Sequence, residues 1–247
     1  MAESDLKIFR LEATLGYFDM DVKLRTSPVA YWKLLQNAAA AHAHALSVAT
    51  EQLRERGETW MLSKMKLAID RHLGIGERLQ IETWPSTRLK GARAYRDYVL
   101  KDGDGKICGS AASLWVIVDL ASRRPLRIPD EIAALRHDPG YEVPEIEDGK
   151  LEAPDSHASS TTFRSEWSDC DQNEHVNNVA ILRWAIDALP LEILESRCLA
   201  SVEVHYRSEV LLGESVTVVT AQENSLVRQS IQNAAGSEVA LIHSHWR

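Results

Sequence analysis

Cysteine is scarce in this chain, basic charge is outweighed by acidic, and no long apolar run occurs. The three cysteines, Cys108, Cys170 and Cys198, form neither an even disulfide framework nor a close-spaced metal pair, so they are most simply small apolar residues. Asp and Glu number 36 against 28 Lys and Arg, a formal charge of -8. That balance argues against a general nucleic-acid binder and against an anionic membrane surface as partner. No stretch approaches the length of a membrane-spanning helix. The opening Met-Ala-Glu-Ser-Asp-Leu-Lys lacks the basic region and apolar run of a leader, so a cytoplasmic location is the expectation. What is present is an ordinary globular balance, 45% hydrophobic and 26% charged over 247 residues. It suffices for one large domain or two small ones and excludes wholesale disorder.

The same plan is written twice. Ser27 and Pro28 make an N-cap and a first helical residue, and Trp32, Leu35, Ala39, His42 and Leu46 follow at three- and four-residue steps. Val179, Leu182, Ile186 and Leu189 repeat that stepping, and Pro190 is expected to stop the second helix. Strands follow each helix. Lys66-Leu-Ala-Ile-Asp-Arg-His72 runs into Gly76-Glu-Arg-Leu-Gln-Ile81, as Glu203-Val-His-Tyr-Arg-Ser-Glu209 runs into Gly213-Glu-Ser-Val-Thr-Val218. Gly105 precedes Trp115 by the spacing at which Gly236 precedes Trp246. Helix then antiparallel strands, given twice, implies two sheets each wrapped on a helix: an α+β fold with the shape of a double hotdog. The expected division is an N-terminal repeat over residues 1–121, a proline-rich surface connector over 122–158 and a C-terminal repeat over 159–247.

Just ahead of the second helix stands Trp167-Ser-Asp-Cys-Asp171-Gln-Asn173-Glu-His175-Val-Asn-Asn178. In an extended strand, side chains two apart share a face, so Asp171, Asn173 and His175 would converge there. A helix beginning at about Val176 would aim its unpaired N–H groups at the same place, where they could hold a developing oxyanion. The alternative is an Asx-rich turn capping a helix, and for Asn177 and Asn178 that structural role is the more natural one. Cys170 lies inside the segment, but a regular strand would turn it away from Asp171 and His175, so it reads as structural.

At this point the chain resembles the acyl-acyl-carrier-protein thioesterases of plants and bacteria, whose hallmark Asp-x-Asn-x-His-Val-Asn-Asn is met throughout from Asp171 to Asn178. The likeness covers nearly the whole chain. It includes Arg96-Asp-Tyr-Val-Leu-Lys-Asp102, Ser113-Leu-Trp-Val-Ile-Val118, Arg123-Arg124 and Ile128-Pro-Asp-Glu131. The resemblance implies a fourth catalytic position at Glu209, within Tyr206-Arg-Ser-Glu209. Val210 stands where many plant members have a Cys, so a thiol there would be dispensable. The transit peptide and apolar extension of plant members are not matched, and the chain looks like the bacterial, soluble form.

The resemblance implies hydrolysis of a fatty acyl-acyl-carrier-protein thioester, with catalytic residues Asp171, Asn173, His175 and Glu209 and with no cofactor or metal. His175 could donate to the carbonyl or shuttle protons. Asp171 is the expected partner fixing its tautomer; it might instead attack the carbonyl to give a mixed anhydride, or act as base on water. Glu209 with Asn173 would position and deprotonate water. In the first repeat, Asp21-Val-Lys-Leu-Arg-Thr-Ser27 has Lys23 and Arg25 but no His, so one active site per chain is expected. The first repeat would then line an acyl tunnel, with Trp32, Leu35, Trp60 and Met61 as candidates that are also plain core residues. His205, His243 and His245 lack a Cys or Asp at ligand spacing, which disfavours zinc, and His42 and His44 do not face each other on a helix.

Partners expected are an acyl carrier protein bearing a fatty acyl chain and, as an open alternative, a second copy in a homodimer; nucleic acid and a membrane span are not expected. Arg88, Lys90, Arg93, Arg96, Arg123, Arg124 and Arg127 would steer an acidic carrier, or would form a solvated positive face. Rival readings are a thioesterase acting on coenzyme A thioesters, a non-catalytic acyl-binding regulator and, least favoured by Asn173 and Asn178, a hotdog dehydratase.

Overall fold

The computed structural model describes residues 7–155 and 159–247. Residues 1–6, on which the leaderless expectation rests, and residues 156–158, where the connector is expected to end, lie outside the described residues. The chain divides into two compact units, Met1–Ile146 and Glu147–Arg247.

In the N-terminal unit, β1 (Phe9–Thr14) and a 3-10 turn (Tyr17–Asp19) precede α1 (Pro28–Ala45). The Ser27 side chain accepts the Ala30 N–H at 3.1 Å, and Pro28 occupies the position where a missing N–H costs nothing. Tyr31, Trp32, Leu35, Ala38, Ala39 and His42 are buried, which gives the helix its inner face. After α2 (Thr50–Arg54) come β2 (Glu58–Ile69), β3 (Arg78–Lys90), β4 (Arg93–Asp102) and β5 (Ile107–Asp119). They pair antiparallel in the order β1-β3-β4-β5-β2. A short β6 (Pro125–Leu126) adds to β5, and α3 (Asp130–Ala133) follows.

The C-terminal unit repeats this order. Strand β7 (Ser159–Arg164) and a 3-10 turn (Trp167–Asp169) precede α4 (Asn178–Asp187) and α5 (Leu191–Ser196). Then β8 (Leu199–Tyr206), β9 (Ser215–Glu223), β10 (Leu226–Asn233) and β11 (Glu238–Trp246) pair antiparallel as β7-β9-β10-β11-β8. The two units thus share one strand order around one principal helix, which is the double hotdog of α+β class. The matched tryptophans behave alike: Trp115 Nε1 donates to Ser113 Oγ at 2.8 Å and Trp246 Nε1 to Ser244 Oγ at 2.9 Å. Helix and sheet lock through large side chains, with Phe163 stacked on Trp184 and Gln229 Nε2 donating to the Ala185 carbonyl at 2.7 Å. Full burial of a large apolar side chain such as Leu35 stabilises by roughly 1.5–3 kcal/mol.

Two expectations need correction, and one is extended. The stretch over 122–158 is not a bare surface connector, because Ile128 and Ile132 pack into a buried cluster with Leu53 and Ile117; apolar residues interleaved with prolines can still fill a core. Pro190 does more than stop a helix, since it stands at the N-cap of α5. Met61 is 43% exposed, because alternation along β2 puts it opposite buried Leu62. Trp60 is half-buried, and its Nε1 donates to the Val48 carbonyl. Among the described residues no helix is long and apolar enough to cross a membrane.

Candidate active site

Residues 170–176 form a hairpin rather than the extended strand that alternation suggests. Cys170 and Val176 bridge antiparallel, and the Asp171 N–H donates to the His175 carbonyl at 2.9 Å while the Glu174 N–H donates back to Asp171 at 3.0 Å. Glu174 sits at φ 62°, a left-handed conformation that reverses the chain. The cause is local: the Asp171 carboxylate accepts the Asn173 N–H at 2.8 Å and its Nδ2 at 3.3 Å, an Asx turn that outcompetes strand pairing. The Asx-rich turn is therefore what forms. Asn177 accepts the Ala180 N–H at 2.8 Å as N-cap, so α4 begins at Asn178, two residues later than expected.

The turn nonetheless brings the imidazole to an acid. His175 Nε2 lies 3.5 Å from Glu209 Oε2, with side chains 27% and 41% exposed. The carboxylate beside the imidazole is thus Glu209, not Asp171, whose oxygens serve Asn173. Two backbone ties set this approach. The Val176 N–H donates to the Val210 carbonyl at 2.8 Å, and His175 bridges Leu211. Buried Ser165 anchors the same loop, its Oγ donating to the Leu211 carbonyl at 2.7 Å, and Tyr206 donates to the carbonyl of Asn178 at 3.2 Å. Among the described residues the N–H groups of Asn178 and Val179 have no acceptor, the orphan donors of a helix start that can take a developing negative charge.

Ser165 escaped sequence reasoning and Tyr206 entered it only as part of the segment leading to Glu209, but the repeated Gly-Glu signal marked their neighbour. Glu214 Oε2 accepts the Leu211 N–H at 2.9 Å, as Glu77 Oε2 accepts the Gly74 N–H at 2.6 Å. The Gly74 bond, then Arg71, hold the Glu77 carboxyl below its ordinary range.

The first repeat builds the same hairpin with other chemistry. Met20 bridges Thr26, Leu24 has φ 58°, and the Asp21 N–H donates to the Arg25 carbonyl at 2.7 Å. Arg25 occupies the place of His175 and closes on Asp21 at 2.7 Å. His72 occupies the place of Glu209. A fixed guanidinium cannot exchange protons near neutral pH, so Arg25 cannot do the work of His175.

Cys170 donates to the Glu166 carbonyl at 3.7 Å, and burial, then the charges of Asp169 and Asp171, push its thiol above the ordinary range; it is a poor nucleophile. His205 is held by Glu203 at 2.8 Å, and His243 lies 2.9 Å from the Glu152 carbonyl. Among the described residues no three His, Cys, Asp or Glu side chains gather as a metal site. The basic cluster is only partly a surface. Arg96 is buried, with one terminal nitrogen 2.9 Å from His42 Nδ1 and 3.3 Å from Thr83 Oγ1, because β4 turns it toward α1. Arg88 is bound to Asp97. Arg127 remains exposed and, with Arg136, Leu89 and Ile128, lines a cavity of about 420 Å³.

The model of the acyl-ACP thioesterase N-terminal domain matches residues 7–135, and that of the C-terminal domain matches residues 152–247. A chloroplastic acyl-acyl-carrier-protein hydrolase of Cuphea viscosissima is 26% identical over 97% of this chain and 62% of its own length. A chloroplastic dodecanoyl-acyl-carrier-protein hydrolase of Cinnamomum camphora is 26% identical over 97% of this chain and 68% of its own. The chain therefore spans about two thirds of the length of these relatives. Among solved structures, the 12:0-ACP thioesterase from Umbellularia californica is 25% identical with a TM-score of 0.87 over 97% of each chain. An acyl-ACP thioesterase from Bacteroides thetaiotaomicron, 21% identical, shares the fold with a TM-score of 0.90 over 100% of each chain. Both halves of the family's pattern thus fall on the two hotdog units, and the chain belongs to the acyl-ACP thioesterase family.

Proposed function

We propose that this chain hydrolyses the thioester of a fatty acyl-acyl-carrier protein to free fatty acid and carrier, which would end or divert acyl-chain synthesis. The observation that carries the reading is His175 Nε2 at 3.5 Å from Glu209 Oε2, beside a capped helix start, in a chain of this family. In the reaction, His175 and Glu209 together take a proton from water as its oxygen bonds to the thioester carbon. The carbonyl oxygen becomes an oxyanion facing the first-turn N–H groups of α4. Collapse breaks the carbon–sulfur bond, and the imidazole returns a proton to the departing thiolate. Asp171 and Asn173 shape the hairpin that presents His175, and Asn173 Nδ2 stays tied to the Asp171 carboxylate.

The N-terminal repeat is assigned to the acyl chain and the C-terminal repeat to catalysis. A cytoplasmic location and a homodimer belong to the same reading, and are checked by cell fractionation and sedimentation. The direct test is thiol release from purified protein offered one acyl group on carrier protein and on coenzyme A. Faster turnover of the carrier thioester is expected; preference for coenzyme A, or tight acyl binding without thiol release, would replace the reading. His175→Ala should lower turnover by about 10²–10⁴-fold, and Cys170→Ala should change little.

A further inference from the structure

Asp169 closes the 3-10 turn just before the hairpin and is almost wholly buried. Each of its oxygens is engaged. One carboxylate oxygen accepts the Glu166 N–H at 3.0 Å, and the other accepts Arg183 of α4 at 2.5 Å. Its carbonyl accepts both the N–H of Asn177 at 2.8 Å and the Asn177 Nδ2 at 2.7 Å. Asn177 in turn caps α4 and stands two residues after His175. Asp169 is thus the point where the entry to the hairpin, its exit and the helix are joined.

The first repeat offers an internal control. Asp19 also accepts the N–H of its cap residue, Ser27, at 2.8 Å, and its carboxylate accepts the Gly16 N–H at 2.8 Å. Lys33 stands where α4 carries Arg183, and among the described residues no ion pair joins it to Asp19. The guanidinium brace is therefore present only on the hairpin that carries an imidazole. Stability is only part of the reason, because the Arg183 side chain is 41% exposed while the Asp169 carboxylate is buried, so the pair is half screened by solvent. Geometry is the rest, since a misplacement of about 1 Å at a reacting group can cost on the order of 10²-fold in rate.

We infer that Arg183 and Asp169 form a positioning pair that fixes the His175 hairpin against the start of α4. The inference rests on the hydrolase reading above, with His175 as the group positioned. Neither residue touches the substrate; Arg183 acts on Asp169, Asp169 on Asn177, and Asn177 on the residues before it. Arg183 also lies 3.5 Å from Asp187, a contact on the helix surface that does not reach the hairpin.

The test compares Arg183→Met, Arg183→Lys and Asp187→Asn with the unaltered chain. Three quantities are read: kcat and KM for one acyl-carrier thioester, the melting temperature, and amide hydrogen exchange of the peptide spanning residues 170–180. Arg183→Met should lower kcat about tenfold at an unchanged KM, a loss larger than any fall in melting temperature accounts for, with faster exchange in that peptide. Arg183→Lys should recover most of the loss, and Asp187→Asn should match the unaltered chain. An Arg183→Met variant with full kcat, or one whose loss follows its melting temperature and is not recovered by lysine, overturns the inference. Asp187→Asn reproducing the loss also overturns it. If the unaltered chain releases no thiol from any acyl thioester, the hydrolase reading fails by itself. The exchange measurement still decides whether Arg183 holds the hairpin.

Discussion

Replacing Glu209 by glutamine keeps the size of the side chain while removing a negative charge 3.5 Å from His175 Nε2. When His175 takes a proton in the transition state, the imidazolium that forms loses that partner. Two unit charges at this separation interact by about 1.2 kcal/mol in water and about 4.7 kcal/mol at an effective dielectric of 20. The side chains are 27% and 41% exposed, so solvent screens the pair and the effect belongs near the lower limit, about 2 kcal/mol. That corresponds to about a 30-fold fall in kcat. Because the partnership strengthens only as charge develops, KM should change little and the loss should appear in kcat and kcat/KM alike. The assay is thiol release from one acyl-carrier thioester at saturating and limiting concentrations, with thermal unfolding as a check on the fold. A glutamine variant within about threefold of the unaltered chain, at equal stability, would refute the role given to Glu209.

Asn177→Ala removes the cap of α4 and one bond to the Asp169 carbonyl, so thermal unfolding should show a loss of about 1–2 kcal/mol; an unchanged melting temperature would show that the cap is idle. Cys170 should react with iodoacetamide more slowly at pH 8 than a free small-molecule thiol, since partial burial and then Asp169 and Asp171 raise its pKa; mass-mapped labelling at the free-thiol rate would contradict this. Burial of Glu82, which opposes ionisation, is outweighed by Lys101 and Arg10, so its carboxyl titrates below the ordinary value of 4.5. A depressed folded pKa means that this stabilisation is complete above about 4.5 and is lost as pH falls through the lower folded value. Glu82→Gln should therefore be less stable than the unaltered chain at pH 7, with the gap closing in acid; denaturant unfolding at both pH values checks the sign.

Much of the fold was legible because its signals are local or periodic. Ser27 and Pro28 start α1 by capping chemistry that needs no tertiary partner. The stepped apolar residues of α1 and α4, and the matched Gly-Glu and Gly-Trp spacings, reported two copies of one plan because equal topology imposes equal turns. The motif from Asp171 to Asn178 located the hairpin. Its geometry was not legible, because alternation points to a strand whereas the Asx turn at Asp171 reverses the chain and α4 starts two residues later than the pattern suggests. The exposure of Met61 and the burial of Arg96 were not legible, because a composition of apolar or basic side chains does not say which face of a strand meets the helix.

The sequence by itself determined that there are two repeats and that only one of the two matching hairpin segments carries an imidazole, because residue type and spacing are properties of the chain. Glu209 was named only through the family resemblance, and tertiary structure decided that it, and not Asp171, lies against His175. Asp171 is four residues away along the chain but is consumed by its own turn, whereas Glu209 is thirty-four residues on and arrives through the Val176–Val210 backbone bond. Proximity across strands depends on register, and register is set by packing that no local pattern encodes.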